Sequence, residues 1–294
     1  ARFIAYVLMD WMNKGGAYEV TAVLYRSNAQ SRAIEEALLR ISIPYRIYGG
    51  LRFYERLEIK NAIAYLKIIF NNNDNPSFER SISNPTRGVG ENTLGKIRQT
   101  AQKYNISYIK ASAKLIDEGS ITGRGGSGLR DYLEFVAGCK SFIEENSLSD
   151  LMELIIKESG LYSYHAKEAG EKGKTRTENL EELITATKNF EQSIKEDKTN
   201  TEIAENYLDV ISLDAGDRQA AEHDDAAQLM TMHSAKGLEF KLVLLTGLEE
   251  SLFPHGRSME SASQLEEERR LCYVAITRAM EKLYITHAES RRLH

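Results

Sequence analysis

The sequence is poor in cysteine, proline and tryptophan, and it has no long apolar run. Its 294 residues include 2 cysteines, 4 prolines and 1 tryptophan. Cys139 and Cys272 lie far apart and form no CxxC motif, so we expect two buried thiols in a reducing compartment and neither a disulfide nor a zinc site. No apolar run approaches the ~20 residues of a membrane span, and the amino terminus shows no signal-peptide pattern. We therefore expect a cytoplasmic protein without a membrane partner.

An excess of positive charge is also missing. The formal net charge is −5, which counts against a surface that is broadly positive enough to bind nucleic acid. A locally basic groove is still compatible with this balance, so a nucleic-acid hypothesis must rest on particular residues. Hydrophobic residues at 42% and charged residues at 28% are typical of a soluble globular protein that is long enough for two compact domains.

Residues 1–73 alternate between helix and strand patterns. Apolar spacing predicts a helix over 1–14 and a buried strand over 19–25. Ser27 and Gln30 have the spacing of a capping box at the start of the next helix. A short strand over 44–48 and a helix over 55–70 complete this part. Such alternation predicts a parallel α/β sheet.

From residue 74 to residue 226 the pattern is almost entirely helical. Predicted helices cover 94–104, 108–117, 128–145, 149–158, 177–195 and 201–213. Strand character returns at Gln228, and a helix over 265–282 and a strand over 283–287 close the chain. The predicted fold is therefore a parallel-sheet α/β domain, formed by 1–73 and 227–294, that is interrupted by a mostly helical inserted domain over 74–226.

The stretch over 227–255, AQLMTMHSAKGLEFKLVLLTGLEESLFPH, concentrates the polar residues that suit a binding site. It predicts a strand, a tight connection and a second strand. Ligands in α/β proteins bind at such a strand end, so His233, Ser234, Lys236 and Glu239 are site candidates. An ordinary solvated loop is the alternative.

Three short patterns imitate nucleotide-binding motifs. Gly173-Lys174-Thr175 ends like a P-loop, but Glu168 stands where that loop needs a glycine, and no buried strand leads into it. The GxGxxG run at 123–128 also lacks a preceding strand, and we expect a flexible linker there. The run over 115–118 resembles the end of a Walker B motif but is too short and helical in pattern. We expect no phosphate cradle in this chain and no ATP hydrolysis by it alone.

Four segments in order resemble the UvrD/PcrA-type superfamily 1 DNA helicases. They are VLYRSNAQSR (23–32), IPYRIYGGLRFYERLEIK (43–60), MHSAKGLEF with GLEESLFPH (232–255), which resembles motif V, and LEEERRLCYVAITRAMEKL (265–283), which resembles motif VI. The resemblance covers nearly the whole chain. It implies that the sheet domain is the second RecA-like domain, 2A, that the insertion is subdomain 2B, and that the first RecA-like domain lies outside this sequence. A RecB-like or AddA-like relative is a disfavoured alternative, since no nuclease pattern follows.

The resemblance implies a role in ATP hydrolysis for residues of motifs V and VI. Arg278 matches the arginine finger, and the alternative is a helix-surface arginine paired with Glu281 or Glu268. Glu239 matches a residue that accepts a hydrogen bond from the nucleotide ribose, with Lys236 and Gly237 near the same cleft. For Lys236, a solvated loop lysine is nearly as good an interpretation. ATP and Mg²⁺ would be bound mainly by the missing half, and we expect neither to bind the fragment alone.

The resemblance also implies contacts with DNA. Positions near single-stranded DNA are Arg26, Asn28, His233, Ser234 and His255, and for His255 a structural histidine is the alternative. The segment with Thr86, Arg87, Gly88, Gly90 and Thr93 resembles the glycine-containing GIG element for duplex DNA, with Val89 in place of isoleucine, and its alternative is a helix–helix turn. Lys174 and Arg176, with Lys172, form a possible second duplex contact or a solvated basic loop.

As a whole, the resemblance implies the carboxyl-terminal half of a 3′-to-5′ DNA helicase of repair and replication. Its partners would be single-stranded DNA, single/double-strand junctions and repair proteins. The rival hypothesis is that the fragment by itself is a non-catalytic DNA- or protein-binding module.

Overall fold

The computed structural model describes residues 1–194, 198–216 and 224–288. The chain divides into two compact units. The sheet unit comprises Ala1–Phe53 and Asp217–His294, and the helical unit comprises Tyr54–Gly216. The helices are α1 (Arg2–Asn13), α2 (Ser31–Leu39), α3 (Leu57–Phe70), α4 (Asn75–Ser83), α5 (Glu91–Tyr104), α6 (Tyr108–Asp117), α7 (Gly123–Glu145), α8 (Leu148–Glu158), α9 (Leu161–Ala166), α10 (Glu171–Ser193), α11 (Asn200–Gly216) and α12 (Ala262–Ile276).

The sheet unit is built on five parallel strands. They are β1 (Thr21–Tyr25), β2 (Tyr45–Ile47), β3 (Ala227–Thr231), β4 (Phe240–Thr246) and β5 (Ala279–Thr286), in the spatial order β2-β3-β1-β4-β5. Ala22 of the central strand lies opposite Gln228 of β3 and Val243 of β4. The strand from the start of the chain is thus held between two strands that follow the helical segment, and the predicted α/β fold with a helical insertion is confirmed.

Both faces of the sheet are covered, as its apolar strands require. All five residues of β1 are buried. Val23 faces a core that includes Ile34 and Leu38 of α2, with residues of α1 beside them. Leu24 faces the opposite core, which includes Leu271 of α12. Because successive side chains of a strand point to opposite faces of the sheet, one face packs against α1 and α2 and the other face packs against α12.

The helical unit packs around buried aromatic side chains. Tyr132 of α7 stands edge-on to Phe78 of α4 with ring centroids 5.5 Å apart, and its hydroxyl lies 2.6 Å from the Ser81 hydroxyl. Tyr65 of α3 donates to the Ser81 carbonyl oxygen at 2.6 Å. Burial raises the pKa of both tyrosines far above the ordinary value for a phenol, more than the nearby arginine lowers it. The predicted helices are confirmed, although most of their bounds differ by a few residues.

The predicted domain boundaries stay a prediction, but one helix associates differently from the sequence grouping. Helix α3, which the sequence places in the 1–73 segment, packs on α4, α7 and α10 within the helical unit. Asn179 connects α10 to the start of α3, because it accepts from Arg56 at 2.9 Å and donates to Glu58 at 2.6 Å. A helix whose side chains are buried nearly all round cannot be assigned to one layer by periodicity.

The expectation of a flexible linker over 123–128 is wrong, because these residues form the start of α7. The glycines let the helix approach another backbone closely. A Cβ on Gly128 would lie 2.0 Å from the Arg87 carbonyl oxygen, and one on Gly125 would lie 3.1 Å from the Gly88 carbonyl oxygen. The pattern that imitates a dinucleotide-binding loop is therefore a site of close packing between a helix and a turn.

Both cysteines are free thiols. Cys139 is buried in α7, and burial raises the pKa of its thiol to about 12. Cys272 in α12 is only partly buried, which corrects the expectation of two buried thiols. Within the described ranges, no helix has both the length and the apolar character that a membrane span requires.

Two glycines of α7 provide a direct test of the close packing. Gly128→Ala places a methyl group against the Arg87 carbonyl oxygen, so we expect the free energy of unfolding to fall by about 1–3 kcal/mol. Gly138→Ala in the same helix meets no atom within 4 Å and should instead stabilise the protein by roughly 0.5–1 kcal/mol. Urea unfolding of both variants measures the difference, and equal effects of the two substitutions would contradict the packing.

Candidate functional site

The candidate residues of the sheet unit lie at opposite edges of the sheet. Arg26 follows β1 and His233 follows β3, at the carboxyl ends of the strands, whereas Glu239 precedes β4 and Arg278 precedes β5, at the amino ends. Five residues of strand at about 3.3 Å each separate these edges by roughly 15 Å. The expectation that Glu239 shares one strand end with His233 is therefore wrong. Parallel pairing requires the connection over 232–239 to return along the sheet before β4 begins.

Arg278 lies in the turn between α12 and β5. The predicted helix over 265–282 is wrong in its last turns, since α12 ends at Ile276 and β5 starts at Ala279. The Arg278 guanidinium donates to the Leu238 carbonyl oxygen at 2.8 Å and to the Val274 carbonyl oxygen at 3.0 Å. The backbone carbonyl of Arg278 accepts from Phe240 at 2.9 Å. These bonds fix Arg278 beside the segment that carries Glu239.

The alternative ion pairs for Arg278 are wrong. Glu281 lies 3.6 Å from Lys241, and Glu268 pairs with Arg26. In the described part of the chain, the hydrogen-bond partners of the Arg278 guanidinium are neutral oxygens rather than carboxylates. Neutral acceptors orient a guanidinium without cancelling its charge, so Arg278 keeps a positive charge at the amino edge.

The connection before β4 presents a short polar segment. Met232 and Ala235 are buried in the α12-side core and anchor it to the sheet. Lys236 and Glu239 are exposed. Gly237 adopts φ +85°, and nothing lies within 4 Å of a Cβ placed there, so backbone conformation rather than space favours glycine. The structure thus brings Gly237, Glu239 and Arg278 to one edge.

Glu268 of α12 organises the carboxyl edge, and sequence reasoning missed it. Its carboxylate accepts from Arg26 at 2.7 and 3.0 Å, from the His255 backbone N–H at 3.3 Å and from the Ser258 hydroxyl at 3.3 Å. Burial alone would raise the pKa of this carboxyl, but the hydrogen bonds and charge of Arg26, with His255 and Ser258, outweigh burial and hold the pKa below its usual range. The available signal was that positions 268, 271 and 275 share one helix face.

The other carboxyl-edge candidates stand on locally ordered turns. The predicted capping box is confirmed, since Ser27 and Gln30 cap each other in the 3₁₀ turn that carries Asn28. Gln30 Oε1 also accepts from the Arg26 backbone N–H at 2.9 Å. Ser234 lies with its hydroxyl 2.9 Å from the Thr231 hydroxyl, and His233 beside it is exposed.

The duplex candidates lie in the helical unit. Thr86, Arg87, Gly88 and Gly90 form the turn between α4 and α5, with Gly90 as the N-cap of α5 and Thr93 in its first turn. The Arg87 guanidinium points inward and donates to the carbonyl oxygens of Ser81, Pro85 and Ser159. An inward guanidinium cannot serve a phosphate without leaving these partners.

The second basic segment lies within α10 and is not the loop that the sequence allows. Arg176 is engaged by two carboxylates, Glu168 and, at 3.6 Å, Glu58. Lys174 is exposed, with Glu171 at 3.2 Å. Residues 173–175 are helical, as part of α10. In the described ranges, no group of His, Cys, Asp or Glu side chains is arranged to hold a metal ion.

Comparison with known proteins decides the family. A sequence profile of the UvrD-like helicase C-terminal domain matches residues 1–123 and 129–290. The chain belongs to this family. It is similar to DNA helicase II of Escherichia coli (47% identity over 294 residues, 100% of this chain and 41% of that protein) and of Haemophilus influenzae (48% over 296 residues, 100% and 40%). The ATP-dependent DNA helicase PcrA of Leuconostoc citreum is 41% identical over 279 residues, 95% of this chain and 37% of that protein.

The chain therefore spans about two fifths of the length of these relatives. Family membership agrees with the motif order and with the interrupted sheet.

The Arg26–Glu268 pair predicts a large stability effect in this family member. The two side chains are only 16% and 7% exposed, so Arg26→Ala leaves a buried carboxylate without its cation and should lower the free energy of unfolding by about 3–5 kcal/mol. Arg269→Ala is the matched control, because Arg269 pairs with Glu266 on the exposed surface of the same helix. This substitution should leave the free energy of unfolding in urea without a measurable change. A similar effect of both substitutions would contradict the buried pair.

Glu268 also predicts a pH dependence. Its folded pKa lies below the unfolded value of about 4.3, so the stability that its charge contributes is complete above that pH and is lost as pH falls through the folded pKa. The melting temperatures of the wild type and Glu268→Gln should therefore differ most near neutral pH and converge in acid. A difference in melting temperature that stays constant as the pH falls into the acid range would show that the charge of Glu268 does not cause the stabilisation.

Proposed function

We propose that this chain is the half of an ATP-dependent DNA helicase that completes a nucleotide pocket begun on another domain. The observation that carries the proposal is the charged guanidinium of Arg278, held by neutral acceptors beside Glu239 at one edge of the sheet. Family membership and the helicase names of the relatives support it. The parent would move 3′ to 5′ along one DNA strand and serve repair and replication.

Arg278 has the chemistry of an arginine finger. Transfer of the γ-phosphoryl group spreads negative charge over its oxygens, and a guanidinium brought from a neighbouring domain stabilises that charge. Arg278 is oriented by the carbonyls of Leu238 and Val274 before any nucleotide arrives, so it does not have to be reorganised during the reaction. Glu239 suits the ribose hydroxyls, which donate to a carboxylate, and would be repelled by the phosphates.

The nucleotide phosphates and Mg²⁺ would be held mainly by the other half, with Lys236 and Gly237 near the same cleft. Bound ATP supplies the free energy that closes the two halves. Closure would place Arg278 against the γ-phosphate and move this sheet relative to its partner.

The carboxyl edge would carry the single-stranded DNA. Asn28, His233, Ser234 and His255 supply hydrogen bonds that fix the position of a phosphate backbone without reading its sequence. Arg26 is neutralised by Glu268, so its part is to shape the edge and to donate hydrogen bonds rather than to add net charge. The DNA contacts at one edge and the nucleotide contacts at the other edge would then move together, because both belong to one rigid sheet. Closure of the two halves would therefore shift the DNA contacts by a step along the strand.

The turn before α5 would bind duplex DNA at a single/double-strand junction. The first N–H groups of a helix have no partners within the helix and suit a phosphate, and Thr86, Gly88, Gly90 and Thr93 leave the backbone accessible. Lys174 is an exposed cation for a second contact, whereas Arg176 is already paired with carboxylates. Repair proteins are the proposed protein partners.

A second candidate function is a non-catalytic DNA- or protein-binding module. The observation that favours it is the helical geometry of 173–175 and of 123–128, the segments that imitate phosphate loops. Both functions share the DNA contacts and differ in whether Arg278 acts on a nucleotide.

Reconstitution distinguishes the two functions. The chain is mixed with a separately produced first RecA-like domain of a family member, and DNA-stimulated ATP hydrolysis is measured. We expect no turnover by the chain alone, turnover by the mixture, and a fall in kcat of roughly 10³-fold or more with Arg278→Ala. Arg269→Ala should leave kcat unchanged. Equal rates with Arg278→Ala and wild type would remove the arginine-finger assignment and favour the binding module.

A further inference from the structure

The turn proposed to bind duplex DNA contains one arginine that faces inward. Arg87 Nη1 donates to the carbonyl oxygens of Ser81 at 3.1 Å and Pro85 at 2.9 Å, and Nη2 donates to that of Ser159 at 2.7 Å. Its guanidinium carbon lies 5.4 Å from the Tyr65 ring centroid and 5.5 Å from that of Tyr132. The guanidinium therefore joins three backbone carbonyl groups to an aromatic core and holds the turn in place.

A second arginine lies on the outside of the same turn. Arg124 is the second residue of α7 and is exposed. A Cβ placed on Gly88 would lie 2.9 Å from Arg124 Cγ, so the side chain of Arg124 passes directly over the turn. Within the described residues, no hydrogen bond or ion pair engages the Arg124 guanidinium, which leaves its five donors available to a ligand.

The glycines of α7 fix this arrangement. Gly125 and Gly128 bring α7 against the carbonyl oxygens of Gly88 and Arg87, at 3.1 and 2.0 Å from their hypothetical Cβ atoms. The start of α7 is thereby seated on the turn, and Arg124 is positioned by backbone packing rather than by its own side-chain bonds. A bulkier residue at either glycine would displace Arg124 along with the helix.

The acidic side chain at the start of α5 is paired with an arginine. Glu91, in the first turn of α5, would repel a phosphate if it were unpaired. It forms an ion pair with Arg98, which also binds Glu79 at 2.6 Å. Arg124 is then an exposed cation beside Gly88 that no carboxylate of the described residues neutralises, whereas the donors of Arg87 are taken up by backbone carbonyl oxygens.

We propose that Arg124 is the phosphate-contacting cation of the duplex-binding turn and that Arg87 is the positioning residue that holds this turn. The proposal rests on the proposed duplex function and reverses the role that the resemblance gives to Arg87. The ligand is the phosphate backbone of double-stranded DNA, which Arg124 contacts without reading bases.

The test measures binding of the full chain to a fluorescein-labelled DNA hairpin by anisotropy over a range of salt concentrations. Loss of one phosphate contact lowers the slope of log K against log salt by about 0.9. We expect this change for Arg124→Gln, with an unchanged melting temperature, and we expect Arg124→Lys to restore the slope. Arg130→Gln is the control, since Arg130 is an exposed arginine of α7 on a different face, and it should leave the slope unchanged.

The substitution Arg87→Lys tests the positioning role. Arg87→Lys keeps the charge but cannot reproduce the fork to three carbonyls, so its melting temperature should fall by several degrees, whereas Arg124→Lys should melt like the wild type. If Arg124→Gln keeps the wild-type slope while the wild type binds the hairpin, the proposal is wrong although the duplex function stands. If the wild type itself fails to bind at low salt, the duplex function fails and the proposal with it.

Discussion

The parallel pairing of β1 between β3 and β4 is the constraint on which the rest of the sheet unit depends. Because all strands point the same way, every residue that follows a strand lies at one edge and every residue that precedes a strand lies at the other. This geometry separates Arg26 and His233 from Glu239 and Arg278 by the length of the strands. A sheet buried on both faces is stiff, so two proposed sites at its edges move together.

Three arginines of this chain, Arg26, Arg87 and Arg278, differ in the groups that bind their guanidinium. Arg26 is neutralised by Glu268 and serves to join a loop to α12. Arg87 is neutralised by no carboxylate among the described residues, but its donors are taken up by carbonyl oxygens inside the helical unit. Arg278 is likewise held by carbonyls, yet it lies at the amino edge of the sheet, where a ligand can approach it. The role of each arginine therefore follows from its partners and its place in the fold. The net charge of −5 does not reveal it.

The sequence predicts the family and most of the helices and strands, but neither the helices α4 and α9 nor the partners of the key side chains. The capping box of Ser27 and Gln30 is local, and it was found because both residues lie within one turn. The glycine run at 123–128 was misread because its purpose is contact with a turn some forty residues earlier, which no local pattern reveals. The end of α12 was placed too late, since helical periodicity continues into β5, and tertiary pairing with β4 decides where the strand begins. Glu268 was overlooked because it stands in a run of charged residues that resembles a solvated face.

Hydrogen–deuterium exchange of the chain, with and without a thymidine oligonucleotide, tests the separation of the two edges most directly. The account predicts slower exchange at the carboxyl edge, in the segments around Asn28, His233 and His255. It also predicts unchanged exchange at the amino edge, over 236–239 and at Arg278. Protection of the amino edge by DNA, or of neither edge, would contradict the assignment of DNA and nucleotide to opposite ends of one sheet.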